Sequence, residues 1–505
     1  MIRSHARVRP PMMRMVARPV GLVLLVVAGM LVLTGLVEVG FGLADPDAVA
    51  VRSLKEAGPL LLTAPISALL GAICLWWGRR VPSALSLDRR EASVAVVLIW
   101  GLLGIVGAIP LVIGAGTPIP DAIFEATSGF TTTGATIYGD IEGTLTPPLV
   151  MWRAVMHWLG GMGIVVLFVA IFPNLGVSGK HLFRSEVPGV TAEGLRPRIT
   201  DTSMVLWRLY VGLTVVAVGV LWWLGMGLHD ALVHGFGTLS TGGFSSRDAS
   251  IAAFASPSIE WALAVLMLIA GVNFGLFYAV ARTRRPGALW RSSELRLYAG
   301  IIVVCTLVLT LSLLPLHGGD LLSSLRHSFF RVATSLTSTG FGIDDHKQYP
   351  PVAMGITILM MLVGGCAGST AGGIKVARIL ILVKAAVAQV RRSVRPAVVH
   401  VVRVDGRPVP SSIVVEVTSF LFIYVACLAM FSMVVIASDG APVTTAVGAV
   451  LSCLSNMGPA PFYVDTDNFA GWSSGAKLAF SGAMVLGRLE FFTVLAFLLP
   501  EVWRR

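Results

Sequence analysis

The chain has 505 residues, of which 55% are hydrophobic and 13% charged, with a mean hydropathy of +0.82. Apolar runs of about 18 or more residues recur from end to end, which excludes a soluble globular domain and identifies a polytopic helical membrane protein. The formal charge of +11 would suggest nucleic acid in a soluble protein, but here the basic residues fall in short loops between apolar runs, where they orient the chain and leave no role for nucleic acid.

The leading segment MIRSHARVRPPMMRMVAR is basic, and the apolar run over 20–43 is longer than a signal-peptide core, so it reads as an uncleaved first span. The AVA triplet at 48–50 has the form of a cleavage site and is the alternative. A second span over 60–78 leads into the basic loop RRVPSALSLDRR, making residues 1–90 a two-span hairpin with both ends cytoplasmic. The five cysteines, Cys74, Cys305, Cys366, Cys427 and Cys453, lie scattered in apolar runs without a CxxC pair, which indicates neither a zinc site nor a disulfide framework.

From there one pattern recurs four times: a span, a run too short to cross, a polar Gly/Thr loop and another span. The first unit, within 91–200, runs 92–114, 121–131, TTGAT, 148–172. The second, within 201–292, runs 204–226, 230–239, STGGF, 259–281. The third, within 293–408, runs 297–316, 321–336, TSTGF, 351–391, and the fourth, within 409–505, runs 413–437, 443–454, SNMGP, 475–499. The loop glycines Gly134, Gly242, Gly340 and Gly458 are 108, 98 and 118 residues apart, a spacing that signals internal duplication and a pseudo-fourfold ring.

Loops between units are basic (Lys180, Arg184, Arg196 and Arg198; Arg282, Arg284, Arg285, Arg291 and Arg296; Arg391, Arg392, Arg395, Arg403 and Arg407). Acids follow the loop glycines: Asp140, Glu142, Asp248, Asp344, Asp345, Asp465 and Asp467. The glycine loops therefore open outward, and ten full spans put both termini inside. A helix of about 10 residues is about 15 Å long, half the hydrocarbon thickness, so each short run must enter and leave on one side. Irregular backbone at that depth survives only when buried in protein or lining a watery cavity. An ordinary surface turn accounts for any one such loop; four in register around an axis form a pore, where glycine lets carbonyls point at a monovalent cation.

The motifs SGFTTTGAT, HWLGGMGIVVLFVAIFPNLGVSG, LFRSEVPGVTAEGLRPRI, STGGFSSRDASI, TSTGF, GGCAGSTAGGIKVARILIL, SNMGP and GRLEFFT together resemble the membrane subunit of bacterial Trk potassium uptake systems. This is the TrkH type within the Trk/Ktr/HKT superfamily, and the leading hairpin favours it over the shorter Ktr type. The resemblance implies an all-α inner-membrane protein whose filter includes Gly134, Gly242, Gly340 and Gly458 with the residues just before them: Thr132 and Thr133, Ser240 and Thr241, Ser338 and Thr339, Asn456 and Met457. Relatives with serine at the first of these glycines are similar to sodium-selective plant transporters, so Gly134 implies potassium as the ion carried. A homodimer and a cytosolic nucleotide-binding RCK-type (TrkA-like) regulatory subunit are further implications, with no cofactor in this chain.

Within the third unit, GGCAGSTAGGIK interrupts an apolar run, and so many glycines do not stay helical at about 1 kcal/mol each relative to Ala. It lacks the P-loop pattern. A packing kink is one reading; the resemblance implies an intramembrane gate over Gly364, Gly365, Gly368, Ser369, Thr370, Gly372, Gly373 and Lys375. Ala371 departs from the family's glycine and would stiffen it. Arg488 lies mid-run, where a charge costs about 2.5–3.5 kcal/mol and must face the pore or a partner. The resemblance puts it beneath the filter as a barrier or an anchor; a structural contact with loop carbonyls is the alternative. His157 and Asn273 read as helix-to-helix hydrogen-bonding residues. A secondary transporter, driven by sodium or protons and with a midplane solute site, remains the competing function, but four same-way units argue against its usual two inverted halves. No clustered acid, base or metal-ligand motif marks an enzyme.

Overall fold

The computed structural model describes residues 10–44, 50–82, 87–163, 199–396, 401–460, 468–489 and 491–503, about three-quarters of them helical. The motif LFRSEVPGVTAEGLRPRI, the end of the span expected over 148–172, and Asp465, Asp467 and Glu490 lie outside these residues.

Two helices, α1 (Met12–Ala44) and α2 (Ala50–Gly78), form the expected hairpin. The second begins earlier than hydropathy places it, because its first turns carry Arg52, Lys55 and Glu56. The two backbones touch where both helices have glycine: a Cβ on Gly21 would stand 2.7 Å from the Gly71 carbonyl oxygen, and one on Gly71 2.9 Å from that of Gly21.

The chain then passes four times through long helix, short helix, loop and third helix. First come α3 (Arg89–Ala115), α4 (Ile119–Phe130) and α5 (Pro147–Gly161), then α6 (Ile199–Trp223), α7 (Leu228–Ser240), α8 (Pro257–Ala270) and α9 (Phe274–Thr283). Third are α10 (Ser293–Leu313), α11 (Leu321–Leu336), α12 (Pro351–Val363) and α13 (Val376–Val394); last are α14 (Ser411–Asp439), α15 (Val443–Ser455), α16 (Ser474–Leu489) and α17 (Phe491–Leu498). Short turns complete the set. A capping box opens α3: Glu91 N–H donates to Asp88 Oδ1 and Asp88 N–H to Glu91 Oε2, both at 2.9 Å.

Among the described residues six helices, α1, α2, α3, α6, α10 and α14, are long and apolar enough to cross a membrane, or eight spans if the bent pairs α8–α9 and α16–α17 each count as one. The short helices have 12 to 16 residues, about 18–24 Å, and cannot. The third helices depart from the expected continuous spans. The run expected over 259–281 breaks at Gly271–Asn273, and α8 and α9 meet at 87°. The α12 and α13 helices are separated by Gly364–Lys375, as the glycine run requires. The α16 helix is described as far as Leu489, with Arg488 in its last turn. The largest apolar core joins the hairpin to α3, α4, α5, α15 and α16.

Candidate functional site: four loops and an intramembrane segment

Each short helix ends in the same cap. The N–H groups of Thr133, Gly242, Thr339 and Met457 donate to the carbonyls of Ser128, Gly237, Thr334 and Ser452 at 2.9, 2.8, 2.9 and 3.0 Å. The residues just before, Thr132, Thr241, Ser338 and Asn456, donate to the carbonyl three residues back and have φ of 54°, 55°, 54° and 51°. This is a Schellman motif with Thr, Ser or Asn in the left-handed position that glycine usually fills, a strain of about 1–3 kcal/mol each. One residue on from each donor, Gly134, Gly243, Gly340 and Gly458 have φ of 79°, 80°, 86° and 96°.

That cap moves the second loop by one residue. The triplets equivalent to Thr132–Gly134 are Thr241–Gly243, Ser338–Gly340 and Asn456–Gly458, so Gly243 rather than Gly242 takes the glycine position. Ser240 instead matches Thr131, Thr337 and Ser455. Its hydroxyl donates to Phe236 O at 2.7 Å, as those of Thr131 and Thr337 do to the carbonyls of Thr127 and Ala333 at 2.7 and 2.6 Å. The doublet in STGGF conceals the register because the left-handed residue that sets it is a threonine.

The four loops meet in cyclic order. A Cβ on Gly134 would overlap the Gly242 carbonyl oxygen, one on Gly243 that of Thr339, and one on Gly340 that of Met457; a Cβ on Gly458 would lie 2.7 Å from Thr133 O. Each neighbour therefore packs its backbone against a glycine that positive φ and lack of space both demand. A side-chain bond crosses the closure: Asn456 Nδ2 donates to Thr133 Oγ1 and to Met484 O, each at 3.0 Å. At one end of the ring a cavity of about 400 Å³ is lined by Gly134, Gly243, Gly340 and Pro459, together with Asp248, Asp344 and Asp345, the acids expected at the outer mouth. Burial pushes the Asp344 carboxyl up, but hydrogen bonds from His327 and Tyr349 at 2.9 and 2.6 Å outweigh it and hold it below the usual aspartate value, so this acid stays charged.

At the other end lies Gly364–Lys375. Gly364, Gly368 and Gly373 have φ of 73°, 72° and 77°, and Lys375 of 82°. The loop closes on itself: Ile374 N–H donates to Leu362 O at 3.0 Å, Lys375 N–H to Val363 O and Val376 N–H to Gly365 O, both at 2.9 Å. Inside it Ser369 Oγ donates to Cys366 O at 2.6 Å, and the Lys375 ammonium reaches Ala371 O. Gly372 abuts the underside of the ring, where its N–H donates to Ser338 Oγ at 2.6 Å and a Cβ would overlap Ser455 O. Arg488 donates to Thr370 O at 2.9 Å and to Gly160 O and Gly161 O at 2.5 and 2.7 Å. It thus ties the loop to the end of α5. The space left among Gly372, Ser369, Asn456 and Arg488 is about 60 Å³, room for about two waters.

Residues 66–502 match the TrkH family model, described as a cation transport protein. The chain belongs to the TrkH family. It is 37% identical over 498 residues to the Trk system potassium uptake protein TrkH of Salmonella typhimurium (strain LT2), covering 97% of this chain and 99% of that protein. It is 33% identical over 433 residues to the Trk system potassium uptake protein TrkG of Escherichia coli (strain K12), covering 85% and 88%. The crystal structure of the potassium transporter TrkH from Vibrio parahaemolyticus superposes with a TM-score of 0.85 at 32% identity, covering 97% of this chain and 99% of that one.

In this TrkH-family chain the sequence reading overlooked what braces the ring. Seven residues before each left-handed position stand Glu125, His234, Arg331 and Ala449. Glu125 is fully buried and accepts from Arg153 Nε at 2.8 Å, Thr136 Oγ1 at 2.9 Å and Ile137 N–H at 2.9 Å. Arg153, 1% exposed, also lies 4.1 Å over the Phe244 ring of the second loop. His234 Nε2 pairs with Ser245 Oγ at 2.9 Å, and Arg331 lies over Tyr349 at 5.3 Å. Charges within short helices flanked by spans were the available signal. His157 makes a long-range contact from α5 to the second loop, accepting from Phe244 N–H at 3.4 Å, whereas Asn273 has a local role. His157 stacks on Phe244 with centroids 4.0 Å apart, behind the second loop, and Asn273 caps α9 by accepting from Gly275 N–H at 2.8 Å.

Proposed function

We propose that the chain takes up potassium across the bacterial cytoplasmic membrane, through a filter made by the backbone carbonyls of Thr132–Gly134, Thr241–Gly243, Ser338–Gly340 and Asn456–Gly458. The observation that carries this reading is the closed ring of four loops packed carbonyl against glycine, the arrangement a partly dehydrated monovalent cation requires. The potassium named for the Salmonella, Escherichia and Vibrio relatives supports the choice of ion. Gly364–Lys375 and Arg488 form the gate: the loop fills the conduit beneath the ring, and the arginine holds it there by its carbonyl contacts. The working unit is a homodimer, both termini cytoplasmic, with an RCK-type regulatory subunit that releases the loop. Flux of potassium, rubidium, sodium and lithium into proteoliposomes tests the filter. Gly134→Ser, whose side chain would displace the Gly242 carbonyl, is expected to lower the potassium-to-sodium ratio about tenfold, the equivalent of about 1.4 kcal/mol. An unchanged ratio in well-folded variant protein would overturn the assignment.

A further inference from the structure

The broken third helix of the second unit leaves a basic segment whose two ends grip the proposed gate. At 87° to α8, α9 lies nearly at right angles to that helix. Its Leu276, Phe277, Tyr278 and Val280 are half-buried. Beyond them Arg282, Arg284, Arg285 and Arg291 are exposed, and among the described residues their side chains make no hydrogen bond or ion pair. Trp290, 61% exposed, stands among them.

The same segment is bonded to the gate loop at both ends. At its start Cys366 N–H donates to Gly271 O at 2.9 Å, and Phe274 N–H to Gly368 O at 3.1 Å. At its end Ala367 N–H donates to Glu294 Oε1 at 2.5 Å. Three consecutive gate residues are thus held by the two ends of one strap.

We infer that residues 274–293 bind anionic phospholipid headgroups and that this binding steadies the gate loop in the arrangement seen here, against the ring. The inference rests on the gate reading above. An interfacial helix with half-buried apolar residues, an exposed tryptophan and arginines at its end is the pattern that seats at a headgroup layer. Each unpaired arginine there gains from a negative surface. A lipid occupant fits better than an acidic protein because α8 and α9 together are apolar enough for a broken span, and the arginines follow directly on its apolar residues, as they do where a span meets headgroups.

The test uses the purified full chain with phosphatidylglycerol and phosphatidylcholine as probes. Native mass spectrometry should show preferential retention of phosphatidylglycerol. Changing Arg282, Arg284, Arg285 and Arg291 to Gln should lower that preference, by about fivefold per headgroup-contacting arginine. The four-lysine variant should restore it, which separates lost charge from lost fold. In vesicles, adding phosphatidylglycerol to phosphatidylcholine should lower rubidium flux through the wild type but not through the glutamine variant. Arg488→Ala serves as the gate control and should be fast in both lipids; if it is not, the gate reading fails while the retention experiment still decides the lipid site. Equal retention by wild type and glutamine variant would overturn the headgroup site. Lost retention with an unchanged lipid effect on flux would overturn its coupling to the gate. Capture of the regulator lost in the glutamine variant, with lipid preference intact, would assign the strap to a protein instead.

Discussion

The ring of four loops and the segment beneath it are both glycine-bearing, irregular and buried, yet they are held in opposite ways. Each ring loop is capped by its own short helix, and behind the first two loops stands the ion pair of Glu125 and Arg153. The Gly364–Lys375 segment closes on itself but is held against the ring and the neighbouring helices by groups from elsewhere: Gly271, Glu294, Ser338 and Arg488. If the ring is the filter and the segment the gate, as proposed, the fixed part is braced by its own helices and the moving part is also fastened by a few bonds from elsewhere that can be released together. Strain follows the same division, since Thr132, Thr241, Ser338 and Asn456 occupy left-handed backbone that only a stiff surround maintains.

The hardest blow to this contrast is Glu125→Ala. Removing one partner of a buried ion pair leaves Arg153 charged and unpaired, a loss of about 3–5 kcal/mol. Thermal unfolding in detergent should show a large drop in Tm, and surviving protein should lose ion discrimination. A drop of under about 1 kcal/mol would mean that the ring does not depend on this brace.

A matched pair sharpens it. Both Gly243 and Gly373 have positive φ, so alanine strains each by about 1–3 kcal/mol. Gly243→Ala would also press on the Thr339 carbonyl and should change the order in which ions permeate. Gly373→Ala, whose Cβ would lie 2.8 Å from Gly364 Cα, should change the rate and leave the order intact. The same altered order in both variants would erase the distinction between the regions.

Much of this arrangement was legible in the chain. Hydropathy located the short helices to within two residues, because such an apolar run has a clear beginning and end, but it placed the starts of the two hairpin helices eight and ten residues late, because their first turns carry charges. Glycine-rich punctuation marked the segment at 364–375, and charge patterning put Asp248, Asp344 and Asp345 at one mouth. What could not be read was anything set by backbone twist or distant partners. Gly243 was mistaken for its neighbour because the left-handed turn falls on Thr241, a residue type that seldom adopts it. The bend before α9 was missed because Gly271 and Asn273 lie in a run whose hydropathy does not falter. The pairing of Glu125 with Arg153 spans 28 residues, and no local pattern announces it.

A smaller effect is expected from a hydrogen bond that joins the two regions directly, between Gly372 and Ser338. Ser338→Ala removes the acceptor of the Gly372 N–H, leaving a buried donor at a cost of about 1–3 kcal/mol to the closed arrangement. Rubidium flux without a regulator should rise, with the potassium-to-sodium ratio unchanged because the Ser338 backbone is retained. A reduced flux would show that the segment needs this contact to conduct rather than to close.

The smallest effect lies at the periphery of the ring's support, where His229 at the start of α7 faces Glu38 of the hairpin at 3.4 Å. Burial lowers the affinity of His229 for a proton, but Glu38, helped by Asp230, more than reverses this, so the histidine titrates above its ordinary value. A folded-state value above the unfolded one means that the pair stabilises the fold fully below about pH 6.5 and loses that contribution as pH rises through the folded value. Wild-type Tm relative to His229→Gln should therefore be higher at mildly acid pH, and the gap should close toward alkaline pH. Ion selectivity should stay constant across the range, since the ring's own caps contain no group that titrates there. A selectivity that followed the Tm difference would show that the hairpin, and not only the local caps, sets the geometry of the ring.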